Sequence, residues 1–357
     1  MLTRSMTLTA LSGLLPLLLC SGCSNSRHES TEMYYLVASN IKLPYWQAAE
    51  AGLNRATRDL TVKAEMVGPS TYDTEQQRVA FREAVAKKPA GIMLSVADPG
   101  IMKDEINTAI AAGIPVITLD SDAPGSQRLF FIGTNNYQAG IAGGQVLAKR
   151  LNGKGNVVVY TIPAQTNLIE RLRGYEAALA DTSIKIIQTI NVHGDPTVAF
   201  DKTMEIVNNG KVSVDGFICL EATAGKEVAS VLDRQKIQGK TIVAMDTDDG
   251  TLDWIEKGVI AATVAQKPFT MAYYGLRTLD ELHHNKSVKL DTDWKRDLKA
   301  LLPSMIDTGS SLIDHDNVRS IRTAAAGFVP MPNSFAGLTE RPKYLDTIYP
   351  VTGSRRQ

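Results

Sequence analysis

The side chains able to do chemistry in this chain cluster just past short apolar runs. Asp120, Ser121 and Asp122 follow Ile114–Leu119. Glu221 follows Gly216–Leu220, Asp246 to Asp249 follow Ile242–Met245, and Gln266 follows Ala261–Ala265. Near the N-terminus, Ser39, Asn40, Lys42 and then Pro44-Tyr45-Trp46 follow Tyr34–Ala38, while Ser95 and Asp98 follow Gly91–Leu94. Arg171 stands in an amphipathic run. In an open α/β sheet the ligand crevice lies beyond the carboxyl ends of the strands, so these are the places where polar ligand atoms are met. Carboxylates, an amide and a guanidinium offer planar paired hydrogen bonds, and Tyr45 and Trp46 offer flat apolar faces. A polyhydroxylated ring needs both surfaces. A structural role stays open beside the functional one, because Asp and Ser also cap helices and build turns, and Tyr45 and Trp46 also suit a helix start anchored on the core.

Other chemistries lack their residues. His28, His193, His283, His284 and His315 do not have the short regular spacing with Cys or Glu of a zinc site, so no metal is expected. No Gly-rich phosphate loop and no strand-to-helix nucleophile elbow is present. Neither an enzyme nor a cofactor is expected. Lys plus Arg (38) balance Asp plus Glu (38), with no long run of one sign, so nucleic acid is not an expected partner.

The elements that must position these groups can be read from hydrophobic periodicity. Short apolar runs alternate with longer amphipathic ones from Met33 onward, the pattern of βαβ units and parallel sheets. Strands are predicted at 34–38, 62–67, 91–94, 116–119 and 130–132, with helices at 46–59, 74–87, 101–112 and 138–151. After the Asn152-Gly153-Lys154-Gly155 break the alternation restarts, with strands at 157–160, 184–190, 216–219, 242–245 and 261–264 and helices at 168–180, 198–208, 224–235 and 251–257. A last helix at 271–284 and an extended segment at 301–313 are expected to recross between two α/β lobes. The fold class is thus α/β, with two Rossmann-like lobes of parallel sheet joined by a multi-strand hinge. The expected division is 33–134 plus 267–297 for the first lobe, 135–266 plus 298–322 for the second, and a proline-rich tail over 323–357.

Residues 1–22 read as an export signal: Arg4, the apolar run Leu8–Leu19, then Ser21-Gly22 before Cys23. The apolar core is too short for a span of about 20 residues. Residues 23–32 form a polar linker. The signal resembles that of bacterial lipoproteins, which implies cleavage before Cys23 and a lipid on its sulfur, although Cys20 stands where such signals usually carry Leu. Ordinary cleavage to a soluble secreted protein is the alternative. Cys219 lies in an apolar run and is expected to be a buried small hydrophobe.

The ordered motifs PYWQAAEAG (44–52), GIPVITLDSDAP (113–124), IGTNNYQAG (132–140), ERLRGYEAAL (170–179), AMDTDDG (244–250), GVIAATVAQKP (258–268) and IDTGSSLI (306–313) resemble the bacterial solute-binding proteins of sugar ABC transporters. The likeness is to the ribose- and galactose-binding type, nearest its glucose-binding branch. The resemblance implies that Tyr45 and Trp46 stack on a sugar ring and that Asp120, with Ser121 beside it, accepts its hydroxyls. Arg171 then donates to sugar oxygens, and Asp246 and Gln266 act from the second lobe. Three positions depart from the pattern. Leu43 and Glu221 stand where ribose-binding members have Asn, and Gly194 where many carry an aromatic. Glu221 beside Asp120 and Asp246 predicts an acidic cleft and a neutral, hexose-like ligand. The expected partners are a monosaccharide, an ABC permease and, through Cys23, the membrane at the periplasm or cell surface, with the protein itself a monomer. A sensor module reporting to a receptor kinase and a receptor for a nucleoside or amino sugar are the alternatives.

Overall fold

The computed structural model describes residues 29–210, 213–284, 289, 290, 292, 294 and 296–326. The proposed signal, Cys23 and the tail beyond 326 lie outside the described residues.

The first sheet is built from β1 (Met33–Val37), β2 (Lys63–Val67), β3 (Gly91–Leu94), β4 (Val116–Leu119) and β5 (Phe131–Gly133), connected by α1 (Pro44–Leu60), α2 (Thr74–Ala86) and α3 (Pro99–Ala111). The chain then crosses over as α4 (Asn136–Arg150). The second sheet follows with β6 (Lys154–Thr161), β7 (Ser183–Asn191), β8 (Gly216–Cys219), β9 (Thr241–Met245) and β10 (Ala262–Ala265). Its helices are α5 (Thr166–Leu179), α6 (Pro196–Asn209), α7 (Ala224–Arg234) and α8 (Asp249–Glu256). Next, α9 (Pro268–His284) returns to the first lobe. β11 (Met305–Asp307), β12 (Ser311–Asp314) and α10 (Val318–Ala326) complete the described chain.

Strand order is β11-β5-β4-β3-β1-β2 in one sheet and β12-β10-β9-β8-β6-β7 in the other, the same winding twice. All pairings are parallel except β10 with β12. Each central strand is buried on both faces, as parallel sheets flanked by helices require. Each lobe has its own core: Leu36, Ile92, Ile117 and Ile132 with Leu276 and Leu279 of α9 in the first, and Val158, Ile218, Val243 and Ile255 in the second.

The expected boundary is corrected at one point. Residues 298–322 do not all join the second lobe, because β11 pairs with β5 in the first sheet and only β12 pairs with β10 in the second. The third crossing therefore falls at Thr308-Gly309-Ser310. One apolar run read as a single extended segment is two short edge strands serving different sheets.

Helices α1, α3, α6 and α9 each begin at a proline, two or three residues before the positions periodicity predicts. Proline at the first helical position loses no hydrogen bond and has its φ already set, so here it starts helices rather than breaking them. Helix α10 was not expected. Its Val318 enters the second core, and Arg322 pairs with Asp253 and Glu256 of α8. No helix among the described residues is long and apolar enough to cross a membrane.

Candidate functional site: a cleft between the lobes

The strand ends of both sheets face one cleft, with an empty volume of about 540 Å³. It is lined from the first lobe by Ser39, Asn40, Leu43, Tyr45, Trp46, Tyr72 and Asp120. The second lobe contributes Gln165, Asn167, Arg171, Gly194, Glu221, Asp246 and Gln266 among others. Of the residues singled out above, Tyr45, Trp46, Asp120, Arg171, Glu221, Asp246 and Gln266 are thus brought together.

Asp120 and Asp246 occupy equivalent places, immediately after β4 and β9. Both have φ of +66°. In each the backbone N–H still bonds the next strand, to Ile132 O and Val264 O respectively, both at 3.0 Å. The chain is therefore held in the sheet at the residue where its direction breaks. At Asp120 the break is a tight turn, closed by Ser121 N–H donating to Leu119 O at 2.7 Å. Left-handed backbone is costly for residues with a Cβ and least so for Asp and Asn, and such strain collects at functional sites.

Ser121, next in the turn, is fully buried and is not among the cleft-lining residues, and its Oγ has no hydrogen-bond partner among the described residues. Asp122 is diverted: both its oxygens take Arg128, Nε at 2.6 Å and Nη2 at 2.5 Å. Its backbone meets the Thr166 hydroxyl of the other lobe. Asp98 and Asp248 cap α3 and α8. Asp120 and Asp246 both line the cleft, and neither caps a helix.

Tyr45 opens the second turn-defining element of the site. Pro44 starts α1, Trp46 buries its ring in the first core with 2% exposure, and Tyr45 packs edge-on against it at 5.2 Å. The Tyr45 hydroxyl donates to Asp120 Oδ1 at 2.6 Å, and Ser95 Oγ donates to Oδ2 at 3.2 Å. Trp46 thus combines the core-anchor role with a place on the cleft wall.

Arg171 is 1% exposed. It reaches the cleft because α4 and α5 cross closely at Gly140, where a Cβ would lie 2.0 Å from the Arg171 carbonyl. Its guanidinium donates to Leu220 O, to Asn136 Oδ1 at 2.6 Å and to Gln266 Oε1 at 3.3 Å. Gln266 Nε2 in turn donates to Asp246 Oδ1 at 3.1 Å. Nε of Arg171 has no hydrogen-bond partner among the described residues, and a buried donor of this kind calls for an acceptor from outside them.

Burial pushes the Asp246 carboxyl up to about 7. The negative charges of Asp120 and Glu221 add to that, and Arg171 and Gln266 only partly oppose it. Asp120 is also raised by burial, against the hydrogen bonds from Tyr45 and Ser95 and the charge of Arg171. Burial lowers Arg171.

Glu221 has a second task. Its oxygens accept from Thr223 N at 2.8 Å, Thr223 Oγ1 at 2.8 Å and Ala224 N at 2.7 Å, so its carboxylate caps the start of α7. Burial nevertheless raises the Glu221 carboxyl, and these bonds and the charge of Lys226 only partly oppose it.

Tyr72, Gln165, Asn167 and Asn136 were not read from the sequence. Gln165 and Asn167 follow β6 and obey the strand-end rule that found the others. Tyr72 follows no such rule. It leaves the first lobe in the loop before α2, bonds Ala97 O through its hydroxyl at 2.7 Å, and packs against the second core. It stands directly over Gly194, where a Cβ would come within 2.6 Å of Tyr72 Cβ. An aromatic residue of the first lobe thus lies against Gly194 of the second.

The geometry agrees with comparisons to known proteins. The sequence profile of the periplasmic binding protein domain matches residues 34–287. The ribose import binding protein RbsB of Bacillus subtilis (strain 168) is 21% identical over 270 residues, 74% of this chain and 86% of that protein. Among solved structures, AraP, an arabinose binding protein from Geobacillus stearothermophilus, is 33% identical with a TM-score of 0.67. The likeness covers 81% of this chain and 99% of AraP. GanP, a glucose-galactose binding protein from the same organism, is 27% identical with a TM-score of 0.73 over 81% of this chain and 99% of its own. With two sheets wound alike and strand ends facing one cleft, this chain belongs to the periplasmic binding protein family and has its type 1 fold.

Proposed function

We propose that this protein is an extracytoplasmic solute-binding protein, lipid-anchored through Cys23, that captures a neutral monosaccharide in the cleft and delivers it to an ABC importer. The observation that carries the ligand reading is the pairing of Asp120 and Asp246, held in the same strained backbone state from the two lobes, with the charge of Arg171 acting on both. Two acceptors and one donor, each mostly withdrawn from water, match hydroxyl groups that both donate and accept. The Tyr45 and Trp46 faces suit the C–H side of a ring. A phosphorylated or acidic sugar would place further negative charge beside two buried carboxylates, which is costly. Three chain crossings between the lobes allow closure by a hinge, and the closed form is what a permease would recognise. The relatives named above are binding proteins for ribose, arabinose, and glucose and galactose, which supports a pentose or hexose as the ligand.

The test is thermal unfolding of the purified protein against D-ribose, D-arabinose, D-glucose, D-galactose, an amino sugar and a nucleoside. A ligand that binds only the folded state raises the Tm by mass action. A rise with one neutral sugar supports the reading. A rise confined to the amino sugar or nucleoside would overturn the choice of ligand and leave the cleft assigned to other chemistry.

A further inference from the structure

Far from the cleft, at the opposite end of the first sheet, Glu32, Asp280 and His284 converge. Glu32 immediately precedes β1, and Asp280 and His284 share one face of the last turn of α9. Their donor atoms all lie within 4.8 Å of one another. The Asp280 side chain is 2% exposed and that of Glu32 is 9% exposed. Oε2 of Glu32 is buried with no protein hydrogen-bond partner among the described residues.

The imidazole is oriented in the way metal ligands are. Its Nδ1 sits 2.7 Å from the Asp280 carbonyl oxygen, and donation there fixes the tautomer whose other nitrogen carries a lone pair. That nitrogen, Nε2, faces Glu32 Oε1 at 2.9 Å. A carboxylate oxygen facing an imidazole lone pair needs a cation between them, either a proton or a metal ion. The Tyr34 hydroxyl donates to Asp280 Oδ1 at 3.3 Å, from beneath, and its ionisation is suppressed by burial and then by the charges of Asp280 and Glu32.

We propose that Glu32, Asp280 and His284 form a divalent zinc site that clips the segment entering β1 to the end of α9. Imidazole with carboxylates suits Zn²⁺, whereas Ca²⁺ takes six to eight oxygens and finds too few here. Zinc bonds at about 2.0–2.2 Å put tetrahedral donors about 3.4 Å apart. The Nε2 and Oε1 atoms, now 2.9 Å apart, must therefore open slightly around the ion, and donors as far apart as 4.8 Å must draw in by about 1.4 Å at most. Three protein ligands leave one position for water. Sequence spacing does not reveal the set, because Glu32 and His284 are 252 residues apart.

The full chain, stripped of metal with EDTA, should bind one equivalent of ZnCl₂ by calorimetry at neutral pH and melt at a higher temperature with it. Glu32→Gln and His284→Gln should each weaken zinc by about tenfold or more. CaCl₂ and MgCl₂ should produce no such effect, and sugar affinity should not change with zinc. Zinc affinity should also fall on acidification, as the imidazole is protonated. No zinc binding by the wild-type chain would overturn the proposal and leave a proton as the cation between Glu32 and His284. Zinc binding undiminished in both variants would overturn it too, by placing the metal elsewhere.

Discussion

Asp246 lies under two opposing influences, burial and the guanidinium of Arg171, and burial is the stronger, so without sugar it keeps its proton up to about pH 7. Its folded-state pKa is above the ordinary aspartate value of 3.8. Its contribution to stability is therefore full below that value and is lost as pH rises through about 7. Hydroxyl donors from a sugar favour the charged carboxylate, so binding should release a proton and affinity should rise between about pH 6 and 8. Calorimetry at several pH values, in buffers of different ionisation enthalpy, would register that proton. Asp246→Asn should flatten the slope, and an unchanged slope in this variant would remove Asp246 from the ligand. Separately, Asp120→Ala leaves the Tyr45 hydroxyl and Ser95 without their acceptor. It should cost about 2–3 kcal/mol of sugar binding, on the order of 100-fold in Kd.

Two loops decide how the lobes meet, and neither is a regular element. The loop before α2 carries Tyr72 across the cleft, and the turn before α6 presents Gly194 with φ of +67° to receive it. Gly194→Ala adds a methyl where there is no room and where the backbone disfavours a Cβ. The expected result is a protein that folds but closes poorly. Small-angle scattering should show less contraction on adding sugar, and affinity should drop about tenfold. In Gly194→Ala, a second change of Tyr72→Ala should restore part of the contraction. Full contraction in the single variant would show that Tyr72 does not control closure.

At the scale of the whole molecule, a lipid on Cys23 would set position through the segment that precedes Glu32. If Cys23 carries lipid, Cys23→Ala should move the protein from the membrane fraction to the soluble extracytoplasmic fraction, with sugar affinity unchanged. Membrane association retained in that variant would assign the anchor to another segment. The zinc clip would fix the angle at which this tether leaves the first lobe, since Glu32 is nine residues beyond Cys23.

The sequence by itself determined the two α/β lobes and most strands to within a residue or two, because periodicity and short apolar runs are local signals that burial in a parallel sheet imposes directly. It also placed Asp120, Asp246 and Gln266 past strand ends and Arg171 in a helix, and all four line the cleft. Tertiary structure alone decided the roles within that set. It assigned Glu221 to a helix cap. It divided 298–322 between two sheets and laid Tyr72 on Gly194. It also joined Glu32 to Asp280 and His284. The last three depend on which distant residues meet, and spacing along the chain carries no record of that.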